Sequence, residues 1–152
     1  CIRDRAKGLD VDVRWKASES LTLIAALTTQ TAKITEDTNA KLVNKQLFRV
    51  PEKQMRLAAR YDVRSGDFAG LGLGLGMTYH SKLPGDNTNS FFTQAATVLD
   101  AQVSYVRGNA RYGLSIQNLL NKQYYKPSTY FAGGQVTPAQ PRTFAISANV
   151  AF

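Results

Sequence analysis

The chain is 152 residues long, the size of one ordinary domain, with a formal net charge of +8 that favours anionic partners: nucleic acid, lipopolysaccharide or an acidic ligand. Its single cysteine, Cys1, excludes an internal disulfide framework and a cysteine-based zinc site, and its single histidine, His80, excludes a histidine cluster. No run reaches the ~18 apolar residues of a transmembrane helix and no charged-then-apolar leader is present, but membrane-crossing β-strands carry only alternating hydrophobicity and escape both tests.

The chain opens on Cys1 and runs into a strand pattern at once, so it reads as a fragment or processed product. The first strand spans residues 8–16, with Leu9, Val11, Val13 and Trp15 on one face and Asp10, Asp12, Arg14 and Lys16 on the other. The second, 21–33, begins with Leu21, Leu23, Ala25 and Leu27 on its apolar side; Ile24 on the opposite face weakens the alternation. The third, 54–63, sets Met55, Leu57, Ala59, Tyr61 and Val63 against Gln54, Arg56, Ala58, Arg60 and Asp62.

A glycine-rich stretch, LGLGLGMTY at 71–79 with Gly70 before it, forms the fourth strand. A dinucleotide-binding loop needs G-x-G-x-x-G, and from Gly70 or Gly72 the last glycine of that pattern falls on Leu75 or Met77. Instead Leu71, Leu73, Leu75, Met77 and Tyr79 alternate with Gly72, Gly74, Gly76, Thr78 and His80. The result is a strand with one greasy face and one bare face, on which another backbone can approach closely. Strands at 98–106, 111–117 and 142–152 follow; the last alternates most cleanly, with Phe144, Ile146, Ala148, Val150 and Phe152 on its apolar side.

Short turns near 17–20, 64–69 and 107–109 alternate with long polar loops near 36–53, 81–97 and 119–141. An antiparallel up-and-down meander of about seven strands therefore gathers its short turns at one end and its long loops at the other. The polar faces, with Arg14, Lys16, Arg56, Arg60, Asp62, Asp100 and Arg111, are too charged for a sandwich core, and the apolar faces too continuous for water. Trp15, Tyr61, Tyr105, Tyr112 and Phe152 lie at the short-turn ends of apolar faces, and Tyr79 and Phe144 at the long-loop end. That is the pattern of two aromatic girdles around a transmembrane barrel.

The segment NLLNKQYY (118–125), a long loop, and then PRTFAISANVAF (141–152) resemble the end of a TonB-dependent outer-membrane receptor. The resemblance extends to RAKGLDVDVRW (5–15), FRVPEKQMRLAARYDV (48–63), GLGLGLGMTYHSKLPGDNTNSF (70–91) and ATVLDAQVSY (96–105), with the ferric-hydroxamate (ferrichrome-type) branch nearest. It implies that the chain is the C-terminal part of a roughly 22-stranded transmembrane β-barrel with a plugged lumen. It further implies a bacterial outer-membrane location with the C-terminus periplasmic and TonB-coupled uptake of a ferric siderophore. Iron enters as part of the ligand, with neither a cofactor nor a protein metal site. The plug, the TonB-contacting segment and the earlier strands are expected outside this chain. Phe152 would be read by the barrel-assembly machinery, and Gly72, Gly74 and Gly76 would face the plug.

Enzyme chemistry has little support. Serines could be grouped with His80 but nothing specifies a triad, and Asp10 and Asp12 share their face with Arg14 and Lys16 as a charge ladder. Lys and Arg are scattered, without the run or motif that nucleic-acid binding requires. Ligand candidates lie at the long-loop end: His80, Arg49, Phe91, Phe92, Tyr124, Tyr125, Tyr130 and Phe131, beside Lys122 and Lys126. The alternative for each is loop packing or contact with outer-membrane lipid and lipopolysaccharide. At the level of the whole chain, the alternatives are a passive or structural barrel of the porin or autotransporter type and a soluble β-sandwich binding module.

Overall fold

The computed structural model describes residues 3–128 and 134–151. Its strands are β1 (Arg3–Lys16), β2 (Leu21–Glu36), β3 (Lys53–Asp62), β4 (Leu71–His80), β5 (Leu83–Pro84), β6 (Phe92–Thr93), β7 (Ala96–Arg107), β8 (Ala110–Gln117), β9 (Tyr125–Pro127), β10 (Val136–Pro138) and β11 (Thr143–Val150). One seven-stranded sheet runs β1-β2-β3-β4-β7-β8-β11, antiparallel throughout. The remaining strands form two small hairpins, β5–β6 and β9–β10, inside the long loops. The only helical element among the described residues is a 3₁₀ turn, Ala40–Leu42.

All seven predicted strands are present. β1 and β2 extend beyond their expected ends, to Arg3 and Glu36, through residues whose apolar parity is taken by Arg5, Lys7 and Lys33, so that the alternation read from the sequence stops short of them. Gly70 lies outside β4, at φ +92° in the preceding turn, where an added Cβ would stand 2.3 Å from the Val106 carbonyl oxygen. A left-handed conformation pressed against a neighbouring backbone requires glycine there, so this glycine serves the turn and not the bare face. The end of the last predicted strand, Phe152, lies outside the described residues.

Pairing carries each face across the sheet. Trp15, Leu23, Ala59, Leu75, Ala101, Ile116 and Phe144 are successive cross-strand partners, and so are Lys16, Thr22, Arg60, Gly74, Gln102, Ser115 and Ala145. One face is therefore apolar from edge to edge and the other polar. The buried apolar residues Ala32, Ile34, Leu83, Pro84, Ala96 and Pro127 do not lie in mid-sheet; they belong to the long-loop end. The apolar face is bare, with Leu9 62 %, Trp15 60 % and Ile146 85 % exposed. A sandwich buries such a face under a second sheet, and none covers it among the described residues.

Candidate functional site

The long-loop end is built on buried polar anchors. Asn118, 4 % exposed and at φ 52°, closes β8. Its main-chain N–H donates to the Asp100 carboxylate at 2.8 Å, and its side-chain amide donates to the carbonyls of Lys122 and Gln140. Its Oδ1 accepts from the Lys122 N–H at 2.8 Å. One asparagine thus ties both ends of the loop to β7, and Asn121 adds a bond from the Arg142 N–H. Asparagine suits this place because its short side chain tolerates the left-handed region and reaches nearby backbone groups.

Beneath that loop a cavity of about 260 Å³ opens on the polar face, lined by Thr78, His80, Asp100, Gln117, Tyr124 and Lys126 among others. The His80 Nδ1–H donates to the Ser81 carbonyl at 2.9 Å. Nε2 is buried with no hydrogen-bond partner among the described residues, and the ring lies 5.9 Å from that of Tyr124 at 49°. A second cavity, about 340 Å³, is lined by Phe91, Phe92, Lys122, Tyr124, Tyr125 and Val136 among others. Tyr124 belongs to both. Lys126 Nζ stands 5.5 Å from the Tyr124 ring centroid, and Lys82 Nζ 4.6 Å from that of Phe92, within cation–π reach.

Five of the predicted ligand residues, His80, Phe91, Phe92, Tyr124 and Tyr125, are thus placed around two adjoining cavities, with Lys122 and Lys126 beside them. Phe91 also packs on its own loop: a Cβ added at Gly85 would come within 2.0 Å of its ring. Arg49 lines neither cavity; at φ 63° it donates its N–H to Pro84 and keeps its guanidinium 6.0 Å from the Phe48 ring. Tyr130 and Phe131 lie outside the described residues.

Sequence reasoning did not single out the clasp between the first two long loops. Asn89 accepts from the Gln46 N–H at 2.7 Å and donates to the Gln46 carbonyl at 2.9 Å. Asp86 accepts from the N–H and hydroxyl of Ser90. Burial pushes the Asp86 carboxyl up, but hydrogen bonds from Ser90 and Thr88 outweigh it and hold the group below its ordinary value. The available signal was asparagine and aspartate clustered in DNTNS (86–90), the residues that make side-chain-bonded turns.

On the polar face, Gly74 and Gly76 line a trough of about 360 Å³ with Arg56, Arg60, Asp100 and Gln102. Gly72 differs from them. The Arg60 guanidinium forks onto Asp62 at 2.8 and 3.1 Å and reaches Ser104, and these side chains lie within 3 Å of where a Gly72 Cβ would stand. On the apolar face Tyr61 pairs with Leu21 and Leu73, Tyr105 with Leu71 and Tyr112, and Tyr79 with Met55 and Thr97. Among the described residues no three of His, Cys, Asp and Glu gather to hold a metal.

The sequence matches the TonB dependent receptor-like, beta-barrel family over residues 3–119. It is 29 % identical over 150 residues to the metal-pseudopaline receptor CntO of Pseudomonas aeruginosa, covering 97 % of this chain and 21 % of that protein. It is 30 % identical over 125 residues to the ferrichrome outer membrane transporter/phage receptor of Escherichia coli K12, covering 79 % of this chain and 16 % of that one. The crystal structure of BauA, the ferric preacinetobactin receptor of Acinetobacter baumannii, superimposes with a TM-score of 0.83 at 21 % identity, covering 97 % of this chain and 22 % of that chain. The chain thus spans about a fifth of the length of the relatives it matches. With strand order, two-faced register and sequence in agreement, the chain belongs to the TonB-dependent receptor β-barrel family.

Proposed function

We propose that this chain is barrel wall and extracellular loop from an outer-membrane receptor that takes up a ferric siderophore by TonB-dependent transport. One observation carries the reading: a single-layered sheet, apolar on one face and polar on the other, holds two aromatic-lined cavities with nearby lysines at its long-loop end. Lipid covers the first face and a wet lumen the second. The family's members are outer-membrane proteins and the matched relatives are named as receptors or transporters, which supports transport over catalysis. Iron travels inside the ligand as cargo, and the protein grips the chelate through rings and cations.

In the complete receptor this segment supplies seven strands near the C-terminus of a roughly 22-stranded barrel. The short turns and the C-terminus face the periplasm, with Phe152 as the residue the assembly machinery reads. Gly74 and Gly76 lie against the plug through which TonB acts. Outer-leaflet lipopolysaccharide surrounds the apolar face. A hydroxamate chelate is the finer reading of the ligand; relatives named for pseudopaline and for ferrichrome both match, so the proposal stands at ferric siderophore.

The test is uptake of radiolabelled iron chelates by iron-starved cells carrying or lacking the full gene, with and without TonB. Uptake that requires both supports the proposal. Uptake that requires the gene but not TonB would favour a passive barrel, and normal uptake of every chelate without the gene would remove the transport claim.

A further inference from the structure

The second and third long loops, residues 81–97 and 119–141, hold Lys82, Lys122 and Lys126 against one acid, Asp86. The Asp86 carboxylate is taken up by Ser90, and Asp100, under the third loop, accepts the Asn118 N–H. Among the described residues the salt bridges are Arg3–Glu36, Arg60–Asp62 and Arg64–Glu19, so none of the three lysines meets an acid there. Lys82 and Lys126 lie over the rings of Phe92 and Tyr124, whereas Lys122 makes no such contact among the described residues. Its main chain is pinned by Asn118, whose Oδ1 accepts the Lys122 N–H and whose amide donates to the Lys122 carbonyl. The exposed Lys122 side chain therefore starts from a fixed root on the wall of the cavity of about 340 Å³ between the two loops.

The same cavity holds a second unmatched group. Thr93, in β6, lines it at 6 % exposure, and its Oγ1 is buried with no hydrogen-bond partner among the described residues. A buried hydroxyl is costly to leave unpaired, and valine would fill the same shape without that cost. The rest of the described lining is aromatic, amide or aliphatic and carries no charge. An unpaired hydroxyl and an unpaired ammonium on one cavity call for an oxyanion that accepts from both. We propose that this cavity binds a free carboxylate of the ferric chelate, one that does not ligate the iron, with the Thr93 hydroxyl and the Lys122 ammonium as its donors. The assignment rests on the transport reading and adds to it the charge of the cargo: a carboxylate-bearing chelate is preferred to an uncharged one of the same frame. An ester in that place leaves the donors poorly satisfied, the ground on which a polar pocket discriminates most strongly. The aromatic walls sharpen the preference by lowering the local dielectric.

The test uses the complete receptor, purified in non-ionic detergent and titrated with a linear ferric trihydroxamate whose terminal amine is succinylated, leaving one free carboxylate, and with the methyl ester of the same compound. Ferric citrate is titrated alongside as a carboxylate chelate of a different frame. The native protein is expected to prefer the acid to the ester by about tenfold or more, with the preference shrinking as salt is added. Thr93→Val and Lys122→Gln should each lower that ratio several-fold, while Thr93→Ser and Lys122→Arg keep it. Thr93→Val should also melt no lower than the native protein, since it deletes an unpaired hydroxyl at constant shape; a purely structural threonine would lose stability and leave the ratio alone. Equal affinity for acid and ester, a ratio unchanged in both Thr93→Val and Lys122→Gln, or no binding of either carboxylate chelate would each overturn the subsite. TonB-dependent iron uptake by cells carrying the full gene keeps the two claims apart: where it persists, the subsite falls alone, and where native cells show none, the transport reading falls with it.

Discussion

Asn118 donates its main-chain N–H to the Asp100 carboxylate at 2.8 Å across the β7–β8 pair, while its side chain holds Lys122 and Gln140. Asn118 is therefore the side chain that joins both ends of the last long loop, with Asn121 adding its bond to Arg142. Asn118→Gly keeps the left-handed backbone easy but deletes every side-chain bond, leaving buried groups unpaired at about 1–3 kcal/mol. In the full receptor we expect faster hydrogen exchange over 119–128 and 134–142 and weaker chelate binding, with barrel assembly retained. Asn118→Ala should be worse by about 1 kcal/mol, the left-handed penalty. Native exchange rates in both variants would show that the loop is held elsewhere.

His80, whose Nε2 has no hydrogen-bond partner among the described residues, lines the cavity with Tyr124 and Lys126. A ligand that hydrogen-bonds to this buried nitrogen satisfies a group that is costly to leave unpaired. His80→Ala and Tyr124→Ala should each weaken ferric-chelate binding about tenfold in an equilibrium titration, a loss close to one good contact. Arg49→Ala, which removes a side chain from neither cavity, should change it by less than about twofold. An Arg49 effect as large as that of His80 would move the site toward the first long loop.

Asp86 sets a pH dependence for the β5–β6 hairpin. Its carboxyl is held below the ordinary value, so the opened loop takes up a proton more readily than the closed one. The stabilisation is full above the ordinary carboxylate range and fades as pH falls through the lowered value. Limited proteolysis of residues 81–95 should accelerate as the medium is acidified through that window, and Asp86→Asn should flatten the profile. A profile that Asp86→Asn leaves unchanged would assign the pH dependence to another group.

The seven strands were legible because each shows most of its apolar residues to one face, with exceptions such as Ile24, so a period of two marks every strand of the sheet. The extra turns of β1 and β2 were not, since Arg5, Lys7 and Lys33 interrupt the apolar series at the basic end. In the site, the gathering of His80 with Tyr124 depends on where the loop after Asn118 folds back, a tertiary fact without a local signature. The role of Gly72 stayed hidden for a related reason: spacing placed it beside Gly74 and Gly76, but the Arg60–Asp62 fork that occupies its space arises from side chains on β3.

Leu75 and Gln102 test which face meets lipid. Leu75 belongs to the row from Trp15 to Phe144, and Gln102 to the polar row beside Gly74. An arginine at the bilayer midplane costs about 2–4 kcal/mol on a lipid-facing position. Leu75→Arg should lower folding into bilayers by that order, and Gln102→Arg should be nearly neutral. Equal costs at the two positions would sink the assignment of faces.

Gly74 tests for a partner against the polar face. A Cβ there would meet Gln102 no closer than 3.5 Å, an ordinary contact, whereas one at Gly72 would press on Ser104, Arg60 and Asp62 at 2.6 to 2.9 Å. Leucine at 74 therefore fits the wall and projects into the trough, and replacing a strand glycine gains about 0.5–1 kcal/mol of backbone entropy. Gly74→Leu should leave assembly and surface display of the full receptor intact while cutting TonB-dependent uptake several-fold, because the added side chain fills space the plug needs. Gly72→Leu should impair assembly itself by displacing the Arg60–Asp62 fork. If Gly74→Leu lowers assembly and uptake in equal proportion, the bare stripe serves the barrel wall and not a partner inside it.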